Sequence, residues 1–151
     1  MRMGRTSLFV CAALTSFALL TPRPTAAAWP SDPAVNLPLC TVVNDQYRPT
    51  ITPDGTGGSI VAWYDARSGT NYDVYAQRVA GDGTVLWTAG GVPVCTALGD
   101  QYYPTLASDG AGGAIVTWWD FRNGTNYNVF AQRISAAGTP LWTTGGVSVC
   151  S

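Results

Sequence analysis

Residues 41–95 of this chain, laid on residues 96–150 without a gap, are identical at 33 of 55 positions. The stretch DQYRPTITPDGTGGSIVAWYDARSGTNYDVYAQRV that starts at Asp45 returns as DQYYPTLASDGAGGAIVTWWDFRNGTNYNVFAQRI from Asp100. Such a repeat restricts the fold to architectures in which one supersecondary unit buries its apolar surface against a copy of itself. Leu37-Pro38-Leu39-Cys40 also matches Val92-Pro93-Val94-Cys95. Residues 29–40 therefore read as the tail strand of a preceding unit, 41–95 as the first repeat and 96–151 as the second.

Turn signals cut each repeat into four short segments. Gln46 to Thr52 ends at Pro53-Asp54-Gly55 and the glycines Gly57 and Gly58, which supply positive φ and a local side-chain bond for a tight reversal. Ser59 to Tyr64 follows, apolar on both faces as a strand covered on both sides must be. Ser68-Gly69-Thr70-Asn71 turns the chain into Tyr72 to Val79, and Gly81-Asp82-Gly83 leads to a fourth strand expected at Val85 to Thr88. No window carries a helical period, so the expected class is all-β, with two tandem four-stranded antiparallel units.

The segment before Trp29 stands apart from the repeats. Arg2 and Arg5 precede an apolar run from Leu8 to Leu20, and Ala26-Ala27-Ala28 supplies small residues for cleavage. This is the layout of a signal peptide over 1–28, with too short a run to span a bilayer comfortably. Cys11 is not read as a lipidation site, because Val10 stands where Gly or Ala is required. The expected compartment is secreted, extracellular or periplasmic, with no membrane insertion once the leader is removed. From Trp29 onward the chain contains no Lys, Glu or His, and its charges are five Arg against nine Asp. Nucleic acid and anionic lipid both call for clustered cations, so neither is an expected partner. All six Trp and all seven Tyr lie in this part of the chain.

Four consecutive antiparallel strands per repeat of this length are the pattern of a β-propeller blade. The Pro49, Pro53-Asp54-Gly55 and Pro104, Ser108-Asp109-Gly110 turns resemble the WD-like propeller repeats of the TolB kind. Trp63, Asp65, Arg67, Tyr72, Ala76, Gln77, Arg78, Leu86 and Trp87, with their counterparts in the second copy, resemble the Trp-x-Asp-x-Arg, Ala-Gln-Arg and Leu-Trp signature of repeat proteins secreted by bacteria. The resemblance implies a propeller fold and an extracytoplasmic site, and it implies no chemistry. Two blades do not close a ring, and a face of ~500 Å² of wet apolar surface forfeits on the order of 10 kcal/mol. The expected partners are therefore other blades, supplied by self-association or by a longer chain.

Candidate chemistry falls into two groups. Asp65 with Arg67, Asp120 with Arg122, and the Gln77-Arg78 and Gln132-Arg133 pairs occur in both copies, which marks them as scaffold, since a ligand site normally breaks a repeat. Asp54 and Asp109 read as turn residues, one carboxylate per turn being too few for calcium. Cys40, Cys95 and Cys150 recur at one position, either as buried thiols or as an odd set open to an intermolecular disulfide. The candidate ligand residues are drawn from positions that differ between the copies: Arg48 and Tyr103, Trp119, Phe121 and Asn123. Trp119 and Phe121 alternate about Asp120, as an aromatic platform for a sugar would, and Asn123-Gly124-Thr125 is also a sequon.

General acid/base chemistry draws mainly on His, Glu, Asp and Lys, and only Asp is present after Trp29. The Ser-x-Asp-x-Gly-x-Thr-Trp box of propeller sialidases is missing. There is no Cys-x-x-Cys, so no zinc site and no cofactor are expected. The function expected is non-catalytic binding or scaffolding, with a surface carbohydrate or a protein as ligand. The alternative is an accessory piece of a larger secreted enzyme or surface-anchored protein.

Overall fold

The computed structural model describes residues 29–150 apart from 31 and 33; the leader read at residues 1–28 lies outside the described residues. The described chain is all-β, without a helix. Strands β1 (Gln46–Pro53), β2 (Ser59–Asp65), β3 (Asp73–Val79) and β4 (Val92–Cys95) form one antiparallel sheet in chain order. Strands β5 (Gln101–Ser108), β6 (Ala114–Asp120), β7 (Asn128–Ile134) and β8 (Val147–Cys150) form a second, with the same order and with equivalent residues in register.

The β1–β2 turn is built by one carboxylate. Asp54 Oδ1 accepts from the Thr56 and Gly58 amides at 2.8 and 2.9 Å, while the Arg78 guanidinium donates to Oδ2 at 2.9 Å. Burial opposes the charge on Asp54, but these donors outweigh it and hold the carboxyl at about 2. Gly55 and Gly57 take φ of +77° and +93°, which a side chain would resist. The turn pins Pro53 opposite Ser59 and so fixes the register of the sheet.

The fourth strand is not where turn spacing predicts it. Val85 makes only an isolated bridge to Val79, and the strand forms at Val92–Cys95 instead. The buried Gln77 side chain explains the shift. Its Oε1 accepts from the Trp87 amide at 3.0 Å and its Nε2 donates to the Thr88 carbonyl at 2.8 Å, so the amide group replaces the ladder bonds that a strand at 85–88 would make to β3. Gly90 and Gly91, both at positive φ, then turn the chain back to pair Val92 with Ala76. Gln132 repeats this with Trp142 and Thr143.

Side chains alternate across β2, and both sets are buried. Ile60, Ala62 and Tyr64 pack with Val116 and Trp118 of β6 in a core shared by the two sheets. Val61 and Trp63 face the other way, with Tyr75, and are covered by Leu39 and Cys40. That covering segment, read from sequence as a tail strand, has irregular backbone. Among the described residues the second sheet is covered on one side only, so β6 alternates between buried Ala114, Val116 and Trp118 and the less buried Ile115, Thr117 and Trp119.

Candidate functional site

Seven aromatic side chains converge where the two sheets meet. Tyr47, Tyr64, Tyr72, Tyr102, Tyr103, Trp119 and Tyr127 line an open depression of about 450 Å³. Cross-strand pairing sets Tyr47 opposite Tyr64 in the first sheet and Tyr102 opposite Trp119 in the second, and the sheet-to-sheet contact then brings the two pairs together. Tyr64 forms the centre, with ring centroids 5.6 Å from Tyr47, 5.5 Å from Tyr72, 5.1 Å from Tyr102 and 5.9 Å from Tyr103. Trp119 closes the outer side, 5.1 Å from Tyr103 in an edge-on contact. Offset and edge-on pairs of this kind fix ring positions beyond what area burial alone would do.

A distortion of the first strand of each sheet shapes the rim. Pairing in β1 skips from Tyr47 to Thr50, leaving Arg48 and Pro49 opposite Trp63 alone, and β5 skips identically from Tyr102 to Thr105. This is a β-bulge, a device that re-aims a side chain. Arg48 and Tyr103 sit in it at φ of +51° and +54°, a conformation that costs a non-glycine residue roughly 1–2 kcal/mol. The bulge turns the Arg48 guanidinium over the Tyr103 ring, 5.8 Å from its centroid. Two acids sit behind the rings. Tyr47 donates to Asp45 at 2.9 Å and Tyr102 to Asp100 at 3.0 Å. The Asp45 bond pushes the Tyr47 hydroxyl up to about 12, and burial followed by the Asp100 bond raises Tyr102.

The residues singled out from sequence separate into three sets. Tyr103 and Trp119 line the depression, and Arg48 lies at its edge. Phe121 reaches it only through Tyr127, which stands 4.9 Å from Phe121 and 6.0 Å from Trp119, so Tyr127 is the ring that joins the two expected platform residues. Asn123 is engaged elsewhere. Its Oδ1 accepts from the Thr125 and Asn126 amides at 3.0 and 3.1 Å, which makes it the organiser of the β6–β7 turn.

The third set is the repeated polar pairs. Asp65 is fully buried and accepts from Trp63 Nε1 at 2.8 Å and from the Arg67 Nη2 at 2.6 Å. Arg67 lies flat on Tyr75, 3.5 Å from its centroid, and also donates to the Gly90 carbonyl at 3.0 Å. Asp120, Trp118, Arg122, Phe130 and Gly145 repeat the arrangement. Arg67 also contacts the Cys40 sulfur at 3.5 Å and Arg122 that of Cys95 at 3.4 Å, so the arginine grips the tail of the segment before it. Burial raises both carboxyls, yet the Arg and Trp donors prevail and hold Asp65 and Asp120 below the ordinary range.

No protein-family model, curated protein or solved structure matches the chain. The geometry alone therefore carries the argument. Tyrosines 47, 72, 102 and 127 occupy repeated positions, 47 with 102 and 72 with 127. The rule that repetition marks scaffold hides them from a reading of the sequence. The available signal was the register that the Asp-Gly turns impose, which sets Tyr47 beside Tyr64 and Tyr102 beside Trp119.

Proposed function

We propose that this chain is a secreted, non-catalytic binding module built from propeller-type blades, and that the tyrosine-lined depression between its two sheets takes a carbohydrate. The observation that carries the reading is the convergence of seven aromatic rings in an open depression at a strained bulge. Ring faces with a few polar groups at the edge suit the apolar C–H faces and hydroxyls of a pyranose. Tyr103 and Tyr127 are about half exposed, as stacking surfaces must be, and Arg48 and the Tyr hydroxyls supply the edge, with Asp45 and Asp100 behind two of those hydroxyls. The two acids are committed to tyrosine hydroxyls, which makes them positioning groups for the rings in this reading. Strained backbone is retained where the surrounding structure enforces it, and such positions cluster at ligand sites.

The compartment supports a glycan over other small ligands, because the leader-like segment would deliver the chain to cell-surface polysaccharide. Trp119, about half exposed, is a built-in reporter. The test is a fluorescence titration of the purified chain with neutral oligosaccharides, followed by mass analysis of the recovered sugar. A saturable change in emission with the sugar returned intact is expected. Cleaved or otherwise altered sugar would overturn the non-catalytic reading, and no response to any sugar would overturn the ligand class.

A further inference from the structure

Position for position, the outer face of the second sheet is the face that the first sheet buries. Val94 is 3% exposed and its counterpart Val149 62%; Trp87 is 8% exposed and Trp142 37%. Cys95 is buried and Cys150 exposed. In the first sheet, these residues meet the second sheet through a fixed set of contacts. Trp87 Nε1 donates to the Ala136 carbonyl at 3.0 Å with its ring against Gly138, where a Cβ would fall 3.0 Å from the indole. Arg122 grips Cys95.

The same contacts appear once more, made by the irregular segment at the start of the described chain. Trp29 Nε1 donates to the Gly81 carbonyl at 2.8 Å with its ring against Gly83, and Arg67 grips Cys40. Gly81 and Gly83 are the counterparts of Ala136 and Gly138. Residues 29–40 thus imitate the edge of a sheet on the Val61–Trp63–Tyr75 face. The imitation is shallow: no strand forms among its described residues, and Trp29 remains 53% exposed where Trp87 is 8%.

We infer that the outer face of the second sheet, centred on Trp142, Val149 and Cys150, docks on the Val61–Trp63–Tyr75 face of a second copy of this chain, displacing that copy's residues 29–40. The occupant is a second copy because, among the described residues, the surface that receives these side chains is the Val116–Trp118–Arg122 face, and the first sheet carries its counterpart in Val61, Trp63 and Arg67. The contact is head-to-tail, so copies either close into a ring or grow as a filament. It would also bring Tyr47 and Arg48 of the incoming copy over Trp119, as Tyr102 and Tyr103 lie over Tyr64.

This contact does not depend on the carbohydrate reading, although it covers Trp119 at the outer side of the depression, and it is tested without a sugar. The purified full chain, kept reduced, is followed by light scattering over a range of concentrations while each cysteine is alkylated and quantified by mass spectrometry. Assembly is expected to slow the alkylation of Cys150 by about tenfold and to speed that of Cys40, with Cys95 slow throughout. Val149→Arg, on an exposed strand position, should abolish assembly with an unchanged circular dichroism spectrum. Trp29→Ala, which loosens the intramolecular mimic, should shift assembly to lower concentration. A chain that stays monomeric in both the parent and the Trp29→Ala form would overturn the inference. So would assembly that ignores Val149→Arg or leaves Cys150 reactive.

Discussion

Replacing Asp65 with Ala tests whether the Asp-x-Arg pair is structural. Asp65 is fully buried, and its loss strips Trp63 Nε1 of its acceptor and leaves the Arg67 guanidinium, 18% exposed, against Tyr75 and the Gly90 carbonyl. Breaking a buried ion pair from one side costs about 3–5 kcal/mol, and the residual exposure of Arg67 places this case near the lower end, at about 3 kcal/mol. Urea unfolding followed by tryptophan fluorescence reads the change; with a slope of about 1.5 kcal/mol per molar, the midpoint falls by about 2 M. Removing Arg67 as well should cost less than the sum of the two single changes, because the second deletion relieves the orphaned charge. A loss below about 1 kcal/mol, or strict additivity, would refute the reasoning. The pair would then behave as a solvent-screened surface contact, free to engage a ligand.

Four further outcomes follow from the same geometry. Gln77→Leu leaves the buried Trp87 amide without its acceptor and should destabilise the chain by about 1–3 kcal/mol, read by the same unfolding assay. Asp54 is held at about 2 against an ordinary value of 3.8, so its contribution is complete above about pH 4 and lost as pH falls through about 2; Asp54→Asn should flatten that acid limb of a stability-against-pH curve. In an ultraviolet titration of the tyrosines, the Tyr47 hydroxyl should ionise only near 12, among several raised hydroxyls that include Tyr102, and Asp45→Asn should return one of that late-titrating set toward the ordinary range of 10. Burial pushes the Cys95 thiol to about 11, so in the native chain at concentrations below assembly Cys95 should resist alkylation at neutral pH while Cys150 reacts.

What could be read from the sequence was local. The Asp-Gly turns, the alternation along β2 and the self-similarity of the two copies are written along the chain itself, and they yield the all-β class and three of the four strands in each sheet. The fourth strand was misplaced because a side chain, Gln77, substitutes for a backbone ladder, which no local pattern announces. Asn123 looked like a ligand group because it is polar and differs between copies, whereas its short side chain serves its own turn. The depression was only partly legible. Tyr103, Trp119 and Arg48 were visible as differences between the copies, but the repeated tyrosines become a site only when two sheets set their ends side by side. Repetition along a chain does not announce a surface that forms only between repeats.

The central claim is that these rings bind carbohydrate, and a glycan array probed with the parent chain and Tyr103→Asn tests it most directly. Asn tolerates the positive φ at this bulge, so the change removes a ring without adding backbone strain. The account predicts a defined set of bound glycans and a loss of affinity of about tenfold or more in the variant, since contacts to Tyr64, Tyr102 and Trp119 go with the ring. An array on which the parent chain retains no glycan, or on which Tyr103→Asn binds as the parent does, would contradict it.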